Sequence, residues 1–213
     1  MLKNSKHSIS MISLTIIVAL IIFVLGCAPK KDVQKMETPK GFGFTIHKVS
    51  SFADWMFGFE KGLDVRVNGG VKSTQIFNTL DDTNNVAVLT ECASTKALKK
   101  FLDSEALKDA MKKGAVVGEP VFYFLEEVDK GSVIDQECFG SKLYTATILN
   151  VEDLKKWKAD FDASTEMRKN GGQGAFHLFR NVDIPNQIAL FIEWQNLEKA
   201  ENFLKSDDLI YLK

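Results

Sequence analysis

Between residues 43 and 213 the apolar positions change period repeatedly, and the order of the changes occurs twice. Phe44, Ile46 and Lys48 alternate with Thr45, His47 and Val49, the period of two that marks a strand. Ser51-Phe52-Ala53-Asp54 then has the spacing of a helix-start capping box. Trp55, Phe59 and Arg66 follow at i, i+4 and i+11, within about 40° of one another on a helix, with Phe52 and Leu63 beside them. Asn68-Gly69-Gly70 supplies residues that tolerate positive φ past the helix end. The pattern next predicts strands over 73–80 and 86–92 around the turn residues Asp81 to Asn85. A helix from Ser94 or Thr95 buries Leu98, Phe101 and Leu102, and Ser104 caps a short helix through Leu107 and Met111. A loop over 114–120 and a closing strand over 121–125 complete a βαββαβ order.

At an offset of 102 residues the spacing returns: Trp157, Phe161, Arg168, Asn170, Gly171 and Gly172 repeat Trp55, Phe59, Arg66, Asn68, Gly69 and Gly70. The register runs without a gap, through Phe77/Phe179, Asn84/Asn186, Glu91/Glu193 and Phe101/Phe203. This is an internal duplication. Strands over 144–149, 175–180 and 188–194 and helices around Trp157 and after Asn196 follow. Lys213 matches Met111, and no second-copy segment corresponds to the closing strand. One sheet edge is therefore expected to lack its partner, and unpaired edges are either covered or used. Cover by the join over 126–142, through Val133 and Ile134, is the favoured outcome, with a homodimer at that edge as the other.

The chain is 45% hydrophobic and 26% charged with a net charge of −1, a globular balance with no basic footprint for nucleic acid. The first residues change the picture more. Lys3, Lys6 and His7 precede an apolar run from Ile9 to Gly26, then Cys27. This is the layout of a secretory signal, and its alternative is an uncleaved membrane anchor. Leu25-Gly26-Cys27 resembles the lipobox of bacterial lipoproteins, with Val24 where leucine is usual. That resemblance implies lipid attachment at Cys27, a membrane partner, and a place in the bacterial cell envelope, at the outer membrane if there is one. The expected organisation is a signal peptide over 1–26, a polar tether over 27–42, a first repeat over 43–128, a linker over 129–143 and a second repeat over 144–213.

The βαββα order, the tryptophan-led helix, the N-G-G turn and Asp183-Ile184-Pro185-Asn186 before an apolar strand resemble the dimeric α+β barrel superfamily. That superfamily includes the antibiotic-biosynthesis monooxygenases. The resemblance implies an α+β fold of tandem ferredoxin-like repeats that close an intramolecular, pseudo-dimeric barrel, with a monomer favoured. Its cofactor-free and haem-degrading enzymes rely on an Asn, Trp and His set that this sequence does not supply complete. No catalytic residue and no cofactor is carried over.

Strand alternation then sorts candidates for a barrel cavity binding a small, largely apolar ligand. Ala87, Leu89 and Glu91, with Ala189, Phe191 and Glu193, are expected inside. Thr45, His47, Val49, Gln75 and Phe77 are expected to join them, as are Thr147, Leu149, His177 and Phe179. His47, His177, Glu91 and Glu193 are the candidate polar contacts, as carboxylate–imidazole pairs, a general base or satisfied strand residues. No local ligand spacing supports a metal site. Trp55, Trp157, Arg66 and Arg168 read as core and core edge. Cys92 and Cys138 are both available for a disulfide in an exported compartment. The competing functions are a tethered binding module, an enzyme of the superfamily's oxygenase type, and an interaction scaffold.

Overall fold

The computed structural model describes residues 15–19, 40–134, 140 and 142–206. Cys27, Cys138 and residues 27–39 of the tether lie outside the described residues, and so do the expected lipid attachment and disulfide, while the last tether residues open the strand Gly41–Val49. The first copy folds as β2 (Gly41–Val49), α1 (Phe52–Lys61), α2 (Leu63–Asn68), β3 (Val71–Thr79), β4 (Asn85–Cys92), α3 (Thr95–Leu102), α4 (Glu105–Lys113) and β5 (Val116–Ser132). The second gives β6 (Leu143–Asn150), α5 (Leu154–Ala163), α6 (Thr165–Asn170), β7 (Gln173–Asn181), β8 (Gln187–Trp194) and α7 (Leu197–Lys205). A short strand, β1 (Thr15–Ala19), precedes both.

The helix starts are where short polar side chains place them. Ser51, Ser94 and Ser104 in the first half, and Asp153 and Asn196 in the second, each accept the backbone N–H three residues on. The glycine pairs divide their work. Gly70 and Gly172 take φ of +85° and +86°, which releases the chain from the helix. Gly69 and Gly171 let a ring approach, since a Cβ there would lie 2.1 Å and 2.2 Å from Phe101 and Phe203. The backbone carbonyls of Asn84 and Asn186 accept from Val49 and Val151 at 2.9 and 2.8 Å, and the Asn84 side chain also accepts the Phe52 N–H at 2.9 Å.

The strands form one closed barrel in the order β1-β3-β4-β2-β5-β7-β8-β6. Within each half the order is ferredoxin-like. The halves meet through β5, which is longer than expected and corrects both the loop over 114–120 and the irregular join. Its first part pairs with β2 and its second, from Leu125 to Ser132, pairs with β7. One strand thus closes both halves on this side. Val133 continues the contact, donating to the Gly174 carbonyl at 3.2 Å. The edge without a second closing strand lies between β3 and β6, and the described part of the join, the end of β5, pairs with β7 instead. Thr15–Ala19, from the apolar run ahead of Cys27, takes that place and pairs with both edges. Among the described residues no helix is long and apolar enough to cross a membrane.

The barrel interior is a shared aromatic core. Phe44 meets Phe191 edge-on at 4.9 Å, Phe42 lies 5.0 Å from Phe179, and Phe77 lies 5.8 Å from Tyr144, each pair spanning the two halves. Outside the barrel each half has its own core between sheet and helices. The first gathers Val49, Trp55, Val86 and Val88, and the second gathers a larger set around Trp157, Phe161, Phe176 and Trp194.

Candidate functional site

The register of the sheet decides where the candidate residues point. Residues directly opposite in an antiparallel pair share a face. Phe44 stands opposite Leu89, inside the barrel, while Thr45 and His47 stand opposite Val88 and Val86, which face the helices. The expected inward placement of Thr45, His47 and Val49 is therefore corrected. Thr147 and Leu149 behave alike, opposite Leu190 and Ile188 on the helix side. The fault is one of register, because a shift of one residue exchanges the two faces of a strand. The local cue was the glycine alternation: Gly41 and Gly43 point outward because α3 lies on them, with a Cβ at Gly43 only 2.8 Å from Leu98.

The other candidates lie on the strand face opposite to the helices, though Gln75 is exposed. Gln75 and Phe77 lie opposite Leu89 and Ala87, and His177 and Phe179 lie opposite Phe191 and Ala189. The four expected polar contacts nevertheless do not converge. Glu91 pairs with Lys40 at 3.2 Å and accepts from Ser73 at 3.3 Å. Glu193 is buried and accepts the Gly140 N–H at 3.0 Å. The His177 ring is 3.9 Å from Glu127, a residue not among the candidates, and burial holds its pKa below the usual value against that carboxylate. Among the described residues no group of three or more His, Cys, Asp or Glu side chains could hold a metal ion. Cys92 is a buried thiol whose pKa burial pushes up.

A cavity among the described residues lies outside the barrel, between the first half's sheet and α1 to α4. Its volume is about 100 Å³. Thr45 and His47 from β2 and Val88 and Thr90 from β4 form its floor. Trp55, Gly58 and Phe59 from α1, Gly62, Val65 and Arg66 from α2, Phe101 and Leu102 from α3, and Met111 from α4 form the walls. The lining is apolar apart from Thr45, Thr90, His47 and Arg66. Arg66 lies 3.7 Å over the Phe59 ring and donates to the Phe59 carbonyl. Burial lowers its pKa, but a guanidinium stays charged at neutral pH.

His47 is the unusual member. It is only 7% exposed, its ring lies 5.4 Å from that of Trp55, and neither ring nitrogen meets a hydrogen-bond partner among the described residues. Burial pushes its pKa down to about 4. At neutral pH it is an uncharged imidazole with one donor and one acceptor to offer. A buried polar side chain without partners is uncommon, because the lost hydration costs about 1–3 kcal/mol. Of the expected ligand contacts, the cavity brings together Thr45 and His47. It adds Trp55 and Arg66, which the sequence assigns to structure, and Thr90, which it does not single out. The available signal was the mismatch between copies, since Leu149, Met167 and Ile192 stand where the cavity has His47, Val65 and Thr90.

No protein-family model matches the sequence, and no curated protein matches it. Solved structures do. An anthrone oxidase-like protein superposes with a TM-score of 0.57 at 10% identity, covering 82% of this chain and 81% of its own. A candidate monooxygenase from Lactobacillus acidophilus NCFM gives 0.49 at 11% identity, covering 80% and 83%. A candidate antibiotic biosynthesis monooxygenase from Caulobacter crescentus CB15 gives 0.37 at 22% identity, covering 44% of this chain and 93% of its own. With the strand order above, the chain has a dimeric α+β barrel fold like that of the anthrone oxidase-like protein, both halves of the barrel being supplied by one tandem chain.

Proposed function

We propose that this protein is an exported, lipid-tethered envelope protein whose first half binds a small, largely apolar molecule in the cavity beside His47. The observation that carries the ligand reading is the pair of unpartnered ring nitrogens in a largely apolar, half-open cavity. A ligand with one hydroxyl or carbonyl satisfies the neutral imidazole while its apolar body replaces water against Trp55, Phe59 and Phe101. The volume limits its size. A single water needs about 10–15 Å³ of such space, so about 100 Å³ takes a body of one small ring unless α1 and α2 move outward. The tether rests on the lipobox-like Leu25-Gly26-Cys27; processing there removes Thr15–Ala19, so β1 fills the β3–β6 edge only in the unprocessed chain. Native mass spectrometry of the protein extracted from its own cell tests the ligand reading. A bound mass in the natural chain that is lost in His47→Leu supports it, and a bare chain in both sinks it. Metabolic labelling with a fatty-acid probe tests the tether, because label that survives Cys27→Ser rejects attachment at that thiol.

A second reading is a cofactor-free oxygenase of the monooxygenase type, favoured by the superposition on the anthrone oxidase-like protein and by the Trp55–His47 pair in the cavity. Oxygen uptake with an anthrone and no added cofactor decides it. Uptake abolished in His47→Leu supports the oxygenase, and no uptake above buffer leaves the binding module.

A further inference from the structure

The three most exposed large apolar side chains among the described residues are Phe57, Leu63 and Val67, at 60%, 57% and 58%. All three lie on α1 and α2. The duplication supplies the control: Ala159, Thr165 and Lys169 stand at the matching positions of the second copy. The fold is built there without large apolar groups, so packing does not require them here. Their place in the molecule is specific. Gly41 and Val71 both pair with Cys92, so the end of α2 lies beside the point where the chain arrives from its N-terminal segment. Lys61 stands 4.0 Å over the Phe57 ring, and Lys72 is exposed just past α2. Exposed apolar residues with lysines beside them form an interfacial arrangement, the apolar groups entering the acyl boundary and the ammonium groups staying among phosphates.

We propose that the outer face of α1–α2 rests on the lipid surface to which the chain is tethered. This inference rests on the tether reading, since a few side chains hold a free protein weakly but orient one already confined at the membrane. The inner face of the same helix pair carries Gly58, Phe59, Val65 and Arg66 of the cavity wall. Docking therefore puts that wall against the bilayer, and the ligand class becomes a small lipophile partitioned into the membrane rather than a solute of the aqueous phase.

The full lipidated chain, reconstituted into phosphatidylcholine vesicles with brominated acyl chains, tests this. Phe57→Trp and its second-copy counterpart Ala159→Trp are compared, the natural tryptophans being buried and common to both. Docking predicts that the Phe57→Trp emission is quenched and the Ala159→Trp emission is not, and that adding Leu63→Ser and Val67→Ser removes the quenching. Equal quenching, or none, in a chain that floats with the vesicles overturns the docking and leaves the tether standing. A chain that does not float overturns both. Crosslinking between copies through position 57 assigns the face to a second copy and overturns the lipid assignment.

Discussion

The two copies solve the same packing problem differently, and the difference is where the candidate site lies. In the second half, Trp157 stacks on Phe161 at 5.2 Å, Phe161 meets Phe176 edge-on at 5.1 Å, and Arg168 is buried over Phe161 at 3.8 Å. Trp194 closes that layer, and its indole N–H donates to Thr145 at 3.0 Å. In the first half the counterparts of Phe176, Trp194 and Thr145 are Thr74, Cys92 and Gly43. Leu149 and Ile192 give way to His47 and Thr90. Smaller and more polar groups line the helix-facing side of the first sheet, and a cavity with an unpartnered imidazole results. Two cores of one ancestry show which features the fold needs, the tryptophan-led helix and the glycine pair, and which belong to one half alone.

The largest expected effect is in the packed half. Trp157→Ala should cost about 3–5 kcal/mol, as truncation of a large buried aromatic does. Trp55→Ala should cost less, because Trp55 already borders empty space and loses fewer contacts. Urea midpoints of the two variants check the order, and a larger loss at Trp55 contradicts the packing contrast.

Acid should also act through the first half. His47 folds with a pKa of about 4 against an ordinary 6.5, so between those values the unfolded chain binds the proton and the folded chain does not. That contribution to stability is complete above about pH 6.5, falls as pH falls toward 4, and amounts to about 3 kcal/mol. His47→Leu, which copies Leu149, should flatten the stability profile in that window, as read by denaturation at several pH values. An unchanged slope removes His47 as its cause.

Filling the cavity from the other copy's pattern gives a smaller gain. Thr90→Ile, which copies Ile192, should stabilise the chain by about 1 kcal/mol and reduce ligand retention. Thermal unfolding and native mass spectrometry on the same sample separate the two effects. The smallest contrast lies in the shared turn. Gly70→Ala and Gly172→Ala force an alanine into φ near +85°, at about 1 kcal/mol each, and Gly172→Ala should cost more because its Cβ would lie 2.8 Å from the Lys199 Cβ while Gly70 meets nothing; urea midpoints check the order.

Much of the fold was legible because it rests on local chemistry. Capping side chains, helix periodicity and N-G-G pairs act within a turn or two, so the starts of α1, α3, α4 and α7 could be read from their own residues, while the breaks at Gly62 and Ser164, where no side chain caps the new helix, could not. Duplication extended that reading, because a residue kept at a fixed offset, as Gly70 and Gly172 are, takes the same backbone conformation twice. The site was less legible. The facing of His47 depended on the register between β2 and β4, which forms between segments distant in the chain and leaves only an indirect mark in Gly41 and Gly43. The reach of β5 was hidden for a similar reason, since Glu126 to Ser132 carry few apolar residues and become a strand only because β7 offers an edge.

By itself, then, the sequence determined the duplication, the order of the elements, the aromatic groups available for a core, and the leader-like segment ahead of Cys27. These follow from periodicity and from contacts between near neighbours. Only the tertiary structure decided that the barrel interior is packed with aromatic rings, that β5 closes both halves, and that the cavity lies between sheet and helices in the first half. Those outcomes depend on which side chains meet across register and across layers, and volumes that must fit together in space are not written in the period of a single strand or helix.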